Sequence, residues 1–259
     1  MTDAERAELA REIALAASGA DSGHGCSCGF TADSAPEATL ANGLAHALDL
    51  SLPRPDVTRA EAERFLQAAR RAQFRSVCVQ PRWAALAVRM LAGARSRAAS
   101  YVGYPHGATL TPAKCAEAEL LLRLGVQELW MVADIGSLRS GDLDAAFIDI
   151  QAVAQVAECR QARLNVILEL PVLSKRQGIE ACVVTKLAGA AAAASATGIC
   201  AKPTEPRHVE LMRQTLGDDL EVVGSGAIET VSEAQSLLAA GASRVESSRA
   251  LEFTRISPA

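Results

Sequence analysis

Short runs of apolar residues alternate with helix-length amphipathic segments from residue 37 onward. Eight runs occur, at 47–52, 76–80, 98–103, 128–133, 164–170, 190–197, 220–224 and 243–247. The segments between them have the apolar spacing of helices, as at 59–72, 112–124, 141–158, 179–188, 206–216 and 231–240. Strands that alternate with helices indicate a parallel sheet, and short helix-to-strand connections favour its closure. We therefore predict an α/β fold, a (β/α)8 TIM barrel.

The first 36 residues depart from this pattern and are predicted to form a short N-terminal helical arm. The arm begins with an amphipathic pattern in which Leu9, Ile13 and Leu15 lie among charged residues. The stretch that follows is rich in Gly, Ser, Asp and Cys, a composition typical of loops. The sequence thus predicts an arm over 1–36 and one barrel domain over 37–259.

A cluster of His24, Cys26 and Cys28 lies within the loop of this arm. Histidine and cysteine are zinc ligands, but tetrahedral zinc normally takes four ligands with wider cysteine spacing. A mobile arm with free thiols explains the same residues without a metal. We expect no metal site.

Length, charge and cysteine content narrow the class of protein. At 259 residues the chain has the length of one barrel, for which about 250 residues is typical. A net charge of −4 offers no basic surface to nucleic acid or a membrane, and no apolar run reaches the ~18 residues of a span. The start lacks the layout of a secretion signal, and seven scattered cysteines suit a reducing compartment. We expect a cytoplasmic protein with a small-molecule ligand and no cofactor, and a homodimer is compatible with the sequence.

Motifs near the ends of the predicted strands resemble those of the deoxyribose-phosphate aldolase family. They follow in family order from about residue 48 to 253, which is most of the chain, and eight motifs in register are specific. They are Ser76-Val77-Cys78-Val79-Gln80-Pro81, Gly103-Tyr104-Pro105-His106-Gly107, Glu128-Leu129-Trp130-Met131-Val132, Val166-Ile167-Leu168-Glu169, Lys186-Leu187-Ala188-Gly189-Ala190, Thr197-Gly198, Ser225-Gly226-Ala227-Ile228 and Gly241-Ala242-Ser243-Arg244-Val245. The resemblance implies the same barrel and an ancestry among class I aldolases.

The chain departs from the resembled family at the positions that carry the chemistry. That family forms a Schiff base with a lysine in a Lys-Thr-Ser-Thr-Gly motif on the sixth strand, where this chain has Ala194. Val223 stands in place of a second lysine, and Trp130 in place of an aspartate of the proton relay. An imine requires an amine, and neither alanine, valine nor indole supplies one. The resemblance therefore implies an aldolase-like barrel that has lost Schiff-base chemistry.

A relocated lysine would keep the aldolase mechanism. The chain has four lysines. Lys114 and Lys186 belong to helical segments, and Lys175 lies in or near a turn. Lys202 follows the sixth strand on the predicted catalytic face, although a lysine in a loop is more often simply solvated.

The phosphate site implied by the resemblance is also altered. Ser225-Gly226 is retained, but Ala227 replaces a second glycine, and the expected Gly-Thr-Ser reads Glu246-Ser247-Ser248, followed by Arg249. A carboxylate beside a phosphate dianion costs Coulomb energy unless it is paired. Arg249 is predicted either to pair with Glu246 or to bind a substrate carboxylate, and a phosphorylated sugar is disfavoured.

Alternation along the strands predicts which side chains face the lumen. If position 194 faces inward, so do 192 and 196, and if Trp130 does, so do Val132 and Asp134. A bulky indole opposite three alanines would balance the volume of the barrel layers. Trp130 is then either a plug in the old active site or a platform for a flat or cationic ligand.

Two carboxylates at strand ends, Asp134 and Glu169, are the catalytic candidates for acid–base work. Alternatively, Asp134 only caps or holds the following loop, and Glu169 only supports the barrel mouth through hydrogen bonds. The candidate substrate-binding residues are Trp130, Ser195, Thr197, Ser225, Ser247, Ser248, Arg249 and Cys78. A buried cysteine without a base is usually inert packing, which is the alternative for Cys78.

Three functions remain open on the sequence. The first is a lysine-independent lyase, cyclase or isomerase acting on a small carbonyl or carboxylate metabolite. The second is a non-catalytic homologue that binds a metabolite or a partner protein. The third is a deoxyribose-phosphate aldolase that uses Lys202. An open, polar cavity favours the first function, and a lumen closed by Trp130 favours the second.

Overall fold

Eight parallel strands form a closed barrel in which each strand pairs with the next and the eighth pairs with the first. The computed structural model describes residues 1–19, 46–199 and 202–254. This architecture confirms the predicted (β/α)8 TIM barrel. The strands are β1 (Leu48–Leu52), β2 (Ser76–Val79), β3 (Arg97–Val102), β4 (Glu128–Val132), β5 (Arg163–Ile167), β6 (Ala192–Ala194), β7 (Glu221–Gly224) and β8 (Arg244–Ser247).

Helices surround the barrel and cover its outer face. In chain order they are α1 (Asp3–Gly19), α2 (Arg59–Ala72), α3 (Ala84–Leu91), α4 (Thr111–Arg123), α5 (Ile135–Ser140), α6 (Leu143–Glu158), α7 (Lys175–Leu187), α8 (Pro206–Leu216), α9 (Val231–Ala239) and α10 (Ala250–Phe253). Short 3-10 turns follow β2 and β5, at Pro81–Trp83 and Leu170–Val172. The six predicted helical segments all correspond to observed helices.

Capping residues explain where several of these helices begin. Thr58 and Thr230 form capping boxes with Glu61 and Glu233, as the sequence signals at α2 and α9 indicate. The helix predicted over 179–188 begins earlier, at Lys175, because Ser174 and Gln177 form another capping box. Local side-chain hydrogen bonds therefore set these boundaries.

The predicted helix over 141–158 is in fact preceded by a separate short helix, α5. Gly141 adopts a left-handed backbone with φ 74° and ends α5, and the Asp142 side chain then accepts a hydrogen bond from the amide of Ala145 at the start of α6. A left-handed residue cannot continue a helix, and glycine adopts it without steric cost. The chain therefore turns between the two helices.

The N-terminal helix α1 lies against the outside of the barrel. Leu9 is buried and Ile13 packs against the core, whereas Leu15 is exposed, contrary to the amphipathic pattern. Glu12 accepts a hydrogen bond from Lys186 on α7 at 2.8 Å. Within the described ranges, no helix has the length and apolar character needed to cross a bilayer. The cluster of His24, Cys26 and Cys28 lies outside the described residues.

The barrel strands separate two apolar layers. Side chains from alternate strand positions fill the lumen, namely Cys78, Ala99, Tyr101, Trp130, Val132, Ile167, Ala192, Ala194 and Val223. Their neighbours along the strands, including Met131, Ala193, Val222 and Val245, belong to the core between the sheet and the helices. The predicted inward positions 130, 132, 192 and 194 are therefore confirmed.

A buried ionic network fills the lumen towards the amino-terminal ends of the strands. The guanidinium of Arg244 is fully buried and donates to Asp49 at 2.7 Å, Glu128 at 2.8 Å and Asn165 at 2.6 Å. It also lies 5.5 Å from the centre of the Trp130 ring. Trp130 thus separates this network from the carboxyl-terminal mouth of the barrel.

Candidate functional site

A cavity of about 570 Å3 opens at the mouth formed by the carboxyl-terminal ends of the strands. This is the end of the barrel at which the active sites of such folds lie. Aromatic and charged side chains contribute to its wall, among them Tyr101, Tyr104, Trp130, Glu246 and Arg249. The cavity therefore combines apolar surface with a small number of polar groups, as ligand sites do.

Trp130 forms the floor of this cavity and fills the lumen beneath it. Its side chain is fully buried and packs in one cluster with Ala192, Ala194 and Val223. Ala194 and Val223 are directly paired across β6 and β7. The three positions at which the chain departs from the resembled chemistry therefore meet in the lumen. The indole closes the lower lumen, as the plug interpretation requires, and the cavity above it leaves the ligand platform as a prediction.

Short side chains on β6 provide the space for this indole. Alanine is a poor strand former, and the regular strand extends only from Ala192 to Ala194, shorter than the predicted run. All three residues are fully buried. The alanines are explained by the volume of Trp130, which lies in the same lumen cluster as Ala192 and Ala194.

All four lysines lie in the described part of the chain, and none of them lines the mouth cavity. Lys114 is fully buried and donates to Asp149 at 2.6 Å and to the Val132 carbonyl at 3.1 Å. Lys186 binds Glu12 on the outside of the barrel. Lys175 begins α7, and Lys202 is an exposed loop residue.

The carboxylate of Asp134 caps helix α5. It accepts hydrogen bonds from the amide of Ser137 at 3.2 Å and from its hydroxyl at 2.7 Å. Burial raises the pKa of Asp134, but these hydrogen bonds outweigh burial, so the pKa lies below its ordinary value. Asp134 does not line the cavity, and this geometry favours its alternative role as a cap.

Glu169 is buried at the edge of the mouth and does not line the cavity either. Its carboxylate accepts a hydrogen bond from the backbone amide of Thr197. Its own backbone is left-handed, with φ 53°, a conformation that costs a non-glycine residue about 1–2 kcal/mol. The bond to Thr197 ties the ends of β5 and β6 together, so Glu169 supports the mouth.

Ser195 and Ser225 connect β6 to β7 and do not line the cavity. The Ser195 hydroxyl donates to the Ser225 carbonyl and accepts from the Ser225 amide, both at 2.9 Å. The Ser225 hydroxyl donates to the Ala196 carbonyl at 2.7 Å and accepts from the Ala196 amide at 3.2 Å. We call Ser195, Ala196 and Ser225 the β6–β7 latch. Its hydroxyl groups are occupied with backbone partners, and both serines are fully buried.

Cys78 is part of the lumen cluster below the cavity and does not line it. Burial raises the pKa of its thiol well above the ordinary value, and nearby carboxylates add to the shift. A thiol that stays protonated is a poor nucleophile. Packing in the lumen is therefore the role that this geometry supports for Cys78.

Five predicted binding residues do line the cavity, namely Trp130, Thr197, Ser247, Ser248 and Arg249. The Ser247 hydroxyl is already used, because it donates to the Ile228 carbonyl at 2.6 Å and accepts from the Arg249 amide at 2.9 Å. Arg249 pairs with Glu252 at 2.7 Å, not with Glu246. The exposed rim is thus contributed by Ser248 and Arg249.

The loops after β6 and β7 approach each other closely at this mouth. A Cβ atom on Gly198, which has φ 76°, would lie 2.4 Å from the amide nitrogen of Ala227. Ala227 has φ 57°, so it occupies a left-handed conformation that glycine adopts more easily. Glycine is therefore required at 198, whereas alanine at 227 is tolerated at a cost in strain.

Glu246 is a titratable group of the cavity that the sequence did not suggest as an acid or base. It lines the cavity beside Ser51 and Tyr101 and is partly buried. Burial raises its pKa, the Ser51 hydroxyl lowers it by less, and Asp49 contributes a smaller increase, so that the pKa rises from 4.5 to about 7. Strand alternation places Glu246 on the same side of β8 as Arg244, which the structure shows to face the lumen.

Two tyrosines complete the wall and were also missed. Tyr101 and Tyr104 stack with ring centres 4.1 Å apart. They are the only tyrosines in the chain, so the low aromatic content of 3% is concentrated partly at this site. Hydroxyl groups on an apolar wall can donate hydrogen bonds to a ligand oxygen.

Within the described ranges, no three histidine, cysteine, aspartate or glutamate side chains are grouped so as to hold a metal ion. The ionisable and phenolic groups that line the mouth are the carboxyl groups of Glu229, Glu246 and Glu252, the guanidinium groups of Arg54 and Arg249, and the two tyrosines.

Comparison with known proteins gives relatives that extend over most of the chain. No model of a known protein family matches. The chain is 35% identical to a deoxyribose-phosphate aldolase of Streptococcus gordonii over 201 residues, which cover 78% of this chain and 90% of the relative. It is 33% identical to one of Staphylococcus epidermidis over 206 residues, 80% of this chain and 93% of the relative.

Solved structures share the same barrel. The tetrameric deoxyribose phosphate aldolase of Aeropyrum pernix superposes with a TM-score of 0.75 at 24% identity, covering 83% of this chain and 91% of that one. Identity at this level supports the fold, and the two closer sequence relatives support the ancestry. On this evidence, the chain belongs to the deoxyribose-phosphate aldolase family.

Proposed function

We propose that this chain is an aldolase-family barrel that acts without a Schiff base, as a lyase, cyclase or isomerase on a small carbonyl or carboxylate compound. The observation that carries the proposal is the absence of any lysine from the lining of the mouth cavity, together with Ala194 and Val223 as paired residues beneath it. An imine cannot form where no amine reaches the substrate.

The four lysines have other environments. Lys114 forms a buried ion pair with Asp149, and Lys186 is paired outside the barrel. A buried ion pair is costly to break, because separation leaves an uncompensated charge. Lys202 is an exposed loop residue that does not line the cavity, so the relocated Schiff base is the least supported of the three functions.

The cavity favours a ligand without a phosphate group. Glu246 lines the cavity at a position where the resembled family has glycine, and Arg249 forms an ion pair with Glu252. A dianion here would meet a carboxyl group and lack a free rim cation, which raises its Coulomb energy. A neutral or singly charged compound avoids this cost.

A non-catalytic binding protein is the second candidate, and the buried indole supports it. Trp130 fills the lumen at the level at which Ala194 replaces the lysine of the resembled family. The open volume of about 570 Å3 above the indole and its polar wall favour the enzyme over this alternative. The two candidates differ in whether the bound compound is changed.

Borohydride trapping tests the proposal. The protein is incubated with deoxyribose 5-phosphate or acetaldehyde and sodium borohydride, and its intact mass is measured. We expect no added mass, whereas a relative with the Lys-Thr-Ser-Thr-Gly motif, treated in parallel, should gain the mass of the reduced adduct. A stoichiometric adduct on this chain would overturn the proposal. If the adduct then disappears in Lys202→Ala, the relocated lysine is responsible.

A further inference from the structure

Glu246 occupies a position at which β8 can present a carboxyl group directly to a ligand. Strand alternation places Arg244 and Glu246 on the lumen side and Val245 in the outer core. Arg244 lies one repeat lower, in the ionic network below Trp130, whereas Glu246 reaches the wall of the mouth cavity. The side chain is partly exposed to the cavity, so a bound molecule can contact it.

Among the residues that the structure describes, those facing Glu246 include no unpaired cation that would hold its carboxylate ionised. Asp49 on β1 is its register partner. The charge of Glu246 contributes to raising the pKa of Cys78 on β2 and of Tyr101 on β3. Arg244 is bound to Asp49, Glu128 and Asn165 at distances of 2.6–2.8 Å.

Each arginine that lines the cavity is paired with a carboxylate. Arg249 pairs with Glu252 at 2.7 Å, and Arg54 pairs with Asp56 at 2.7 Å. Glu229, which also lines the cavity, carries the same sign of charge as Glu246. Within the part of the chain that the structure describes, Glu246 takes part in no ion pair. A carboxyl group in this setting can exist either as an acid or as a carboxylate.

We propose that Glu246 is the acid–base residue of the cavity and transfers a proton to and from the carbon beside the carbonyl of a small, unphosphorylated aldehyde or ketone. The Tyr101 and Tyr104 rings line the same cavity. Their hydroxyl groups are the proposed hydrogen-bond donors to the carbonyl oxygen. This inference rests on the proposed function and names its reacting group.

The proton-transfer step balances without a cofactor or an oxidant. The Glu246 carboxylate takes one proton from the carbon, and the electron pair of that C–H bond moves to form an enolate with its charge on oxygen. Hydrogen bonds from a tyrosine hydroxyl stabilise that oxygen. Return of the proton from the carboxyl group to carbon restores the compound. In heavy water the returned atom is deuterium, so the step is visible as isotope exchange.

The environment of Glu246 suits a general acid–base residue. Burial raises the pKa of the carboxyl group to about 7, so that both forms are populated near neutral pH. A base is most effective when its pKa is close to the operating pH, and a general base contributes about 10²–10⁴-fold. Exchange should therefore increase with pH and level off above about 7.

Deuterium exchange measured by proton NMR tests the inference. The full-length protein is mixed in heavy water with acetaldehyde, glycolaldehyde or dihydroxyacetone, and loss of the proton signal beside the carbonyl is followed at several pH values. We expect exchange above the buffer rate for at least one probe and a fall on the order of 10²-fold in Glu246→Gln. Glu158→Gln, which removes an exposed carboxylate at the end of α6 and outside the cavity, is the control and should retain the wild-type rate.

Three results separate this inference from the proposed function. If isotope exchange occurs without an imine adduct and continues in Glu246→Gln, the role of Glu246 is overturned and the proposed function stands. Borohydride-trapped mass overturns the proposed function itself. No exchange with any probe also overturns the acid–base role. If Glu246→Gln does not fold, Glu246→Asp is used, and a shift in the midpoint of the pH profile is then expected for the assigned residue.

Discussion

At the scale of the residue, the carboxyl group of Glu246 makes stability depend on pH. Its pKa is raised from 4.5 to about 7 in the folded protein. Below 4.5 both the folded and unfolded states hold the proton, and no cost arises. Between 4.5 and 7 the unfolded state releases its proton first, so the free energy of unfolding decreases as pH rises. Above this window the cost is fully present.

Glu246→Gln removes that cost, and we expect the variant to be more stable than wild type at pH 8 by about 1–2 kcal/mol, with a smaller gain at pH 5. Urea unfolding at the two pH values measures the difference. Glu252→Gln controls for removing a carboxylate from the rim. An equal gain at both pH values would show that charge burial is not the cause.

Trp130 is the other residue whose role can be measured directly. Trp130→Ala removes a fully buried side chain, so we expect a loss of about 3–5 kcal/mol in the free energy of unfolding. Trp83→Ala, at the partly buried second tryptophan of the chain, should cost less. Free indole should restore part of the lost stability only in Trp130→Ala, because it can occupy the space that the Trp130 side chain leaves. Denaturant titrations with and without indole test both statements.

At the scale of the element, the β6–β7 latch holds together two short strands. Ser225→Ala removes both hydrogen bonds to the backbone of Ala196 and leaves buried groups unpaired, so we expect a loss of about 1–3 kcal/mol. Ser248→Ala, on the exposed rim, should change stability by less than about 0.5 kcal/mol. Chemical denaturation gives both values. A ligand-affinity loss in Ser225→Ala without a stability loss would instead support the substrate-binding role expected from the sequence.

The elements themselves were largely predictable, because their patterns are local. The helices over 206–216 and 59–72 match the predicted limits, since Pro206 and Thr58 mark their starts and apolar residues recur at helical spacing. Strand β6 and the break at Gly141 were not predicted in detail. The length of β6 depends on pairing with β5 and β7, and the break depends on one left-handed residue among ordinary helix formers.

The candidate site was harder to predict than the fold. Trp130 and Ala194 were identified from the resemblance and do meet in the lumen. Ser195 and Asp134 were expected to face a ligand but bind neighbouring backbone and side-chain groups instead. Which hydroxyl or carboxylate remains available depends on such partners, and these arise from distant parts of the chain. Glu246 was misjudged for that reason, since its predicted partner Arg249 binds Glu252.

At the scale of the whole molecule, Arg244 connects five strands through one guanidinium group. From its own strand β8 it donates to Asp49 on β1, Glu128 on β4 and Asn165 on β5, and it pairs with Glu221 on β7 at 3.3 Å. Arg244→Met would leave two buried carboxylates without their cation, and we expect a loss of about 3–5 kcal/mol. Arg249→Met, at a rim arginine with one exposed partner, is the control and should cost less than about 0.5 kcal/mol. Thermal or urea unfolding of both variants provides the comparison, and similar losses would contradict the network's role.

Reconstruction of the resembled chemistry is a further test of the whole barrel. The triple variant Ala194→Lys, Val223→Lys and Trp130→Asp places amines at two paired positions and removes the indole opposite them. We expect weak cleavage of deoxyribose 5-phosphate and an adduct trapped by borohydride. A folded triple variant without either property would contradict the correspondence of these three positions. Ala194→Lys alone serves as the comparison.

The indole beneath the mouth also fixes the order in which such changes can succeed. A lysine introduced at 194 while Trp130 is present would enter space that the ring already fills, so it would be overpacked before it could react. Under the proposed function, the effect of a lysine at 194 therefore depends on whether Trp130 has been replaced first, which is epistasis. We expect Ala194→Lys to fail as a single step, because both the volume of the indole and the missing second amine oppose Schiff-base chemistry.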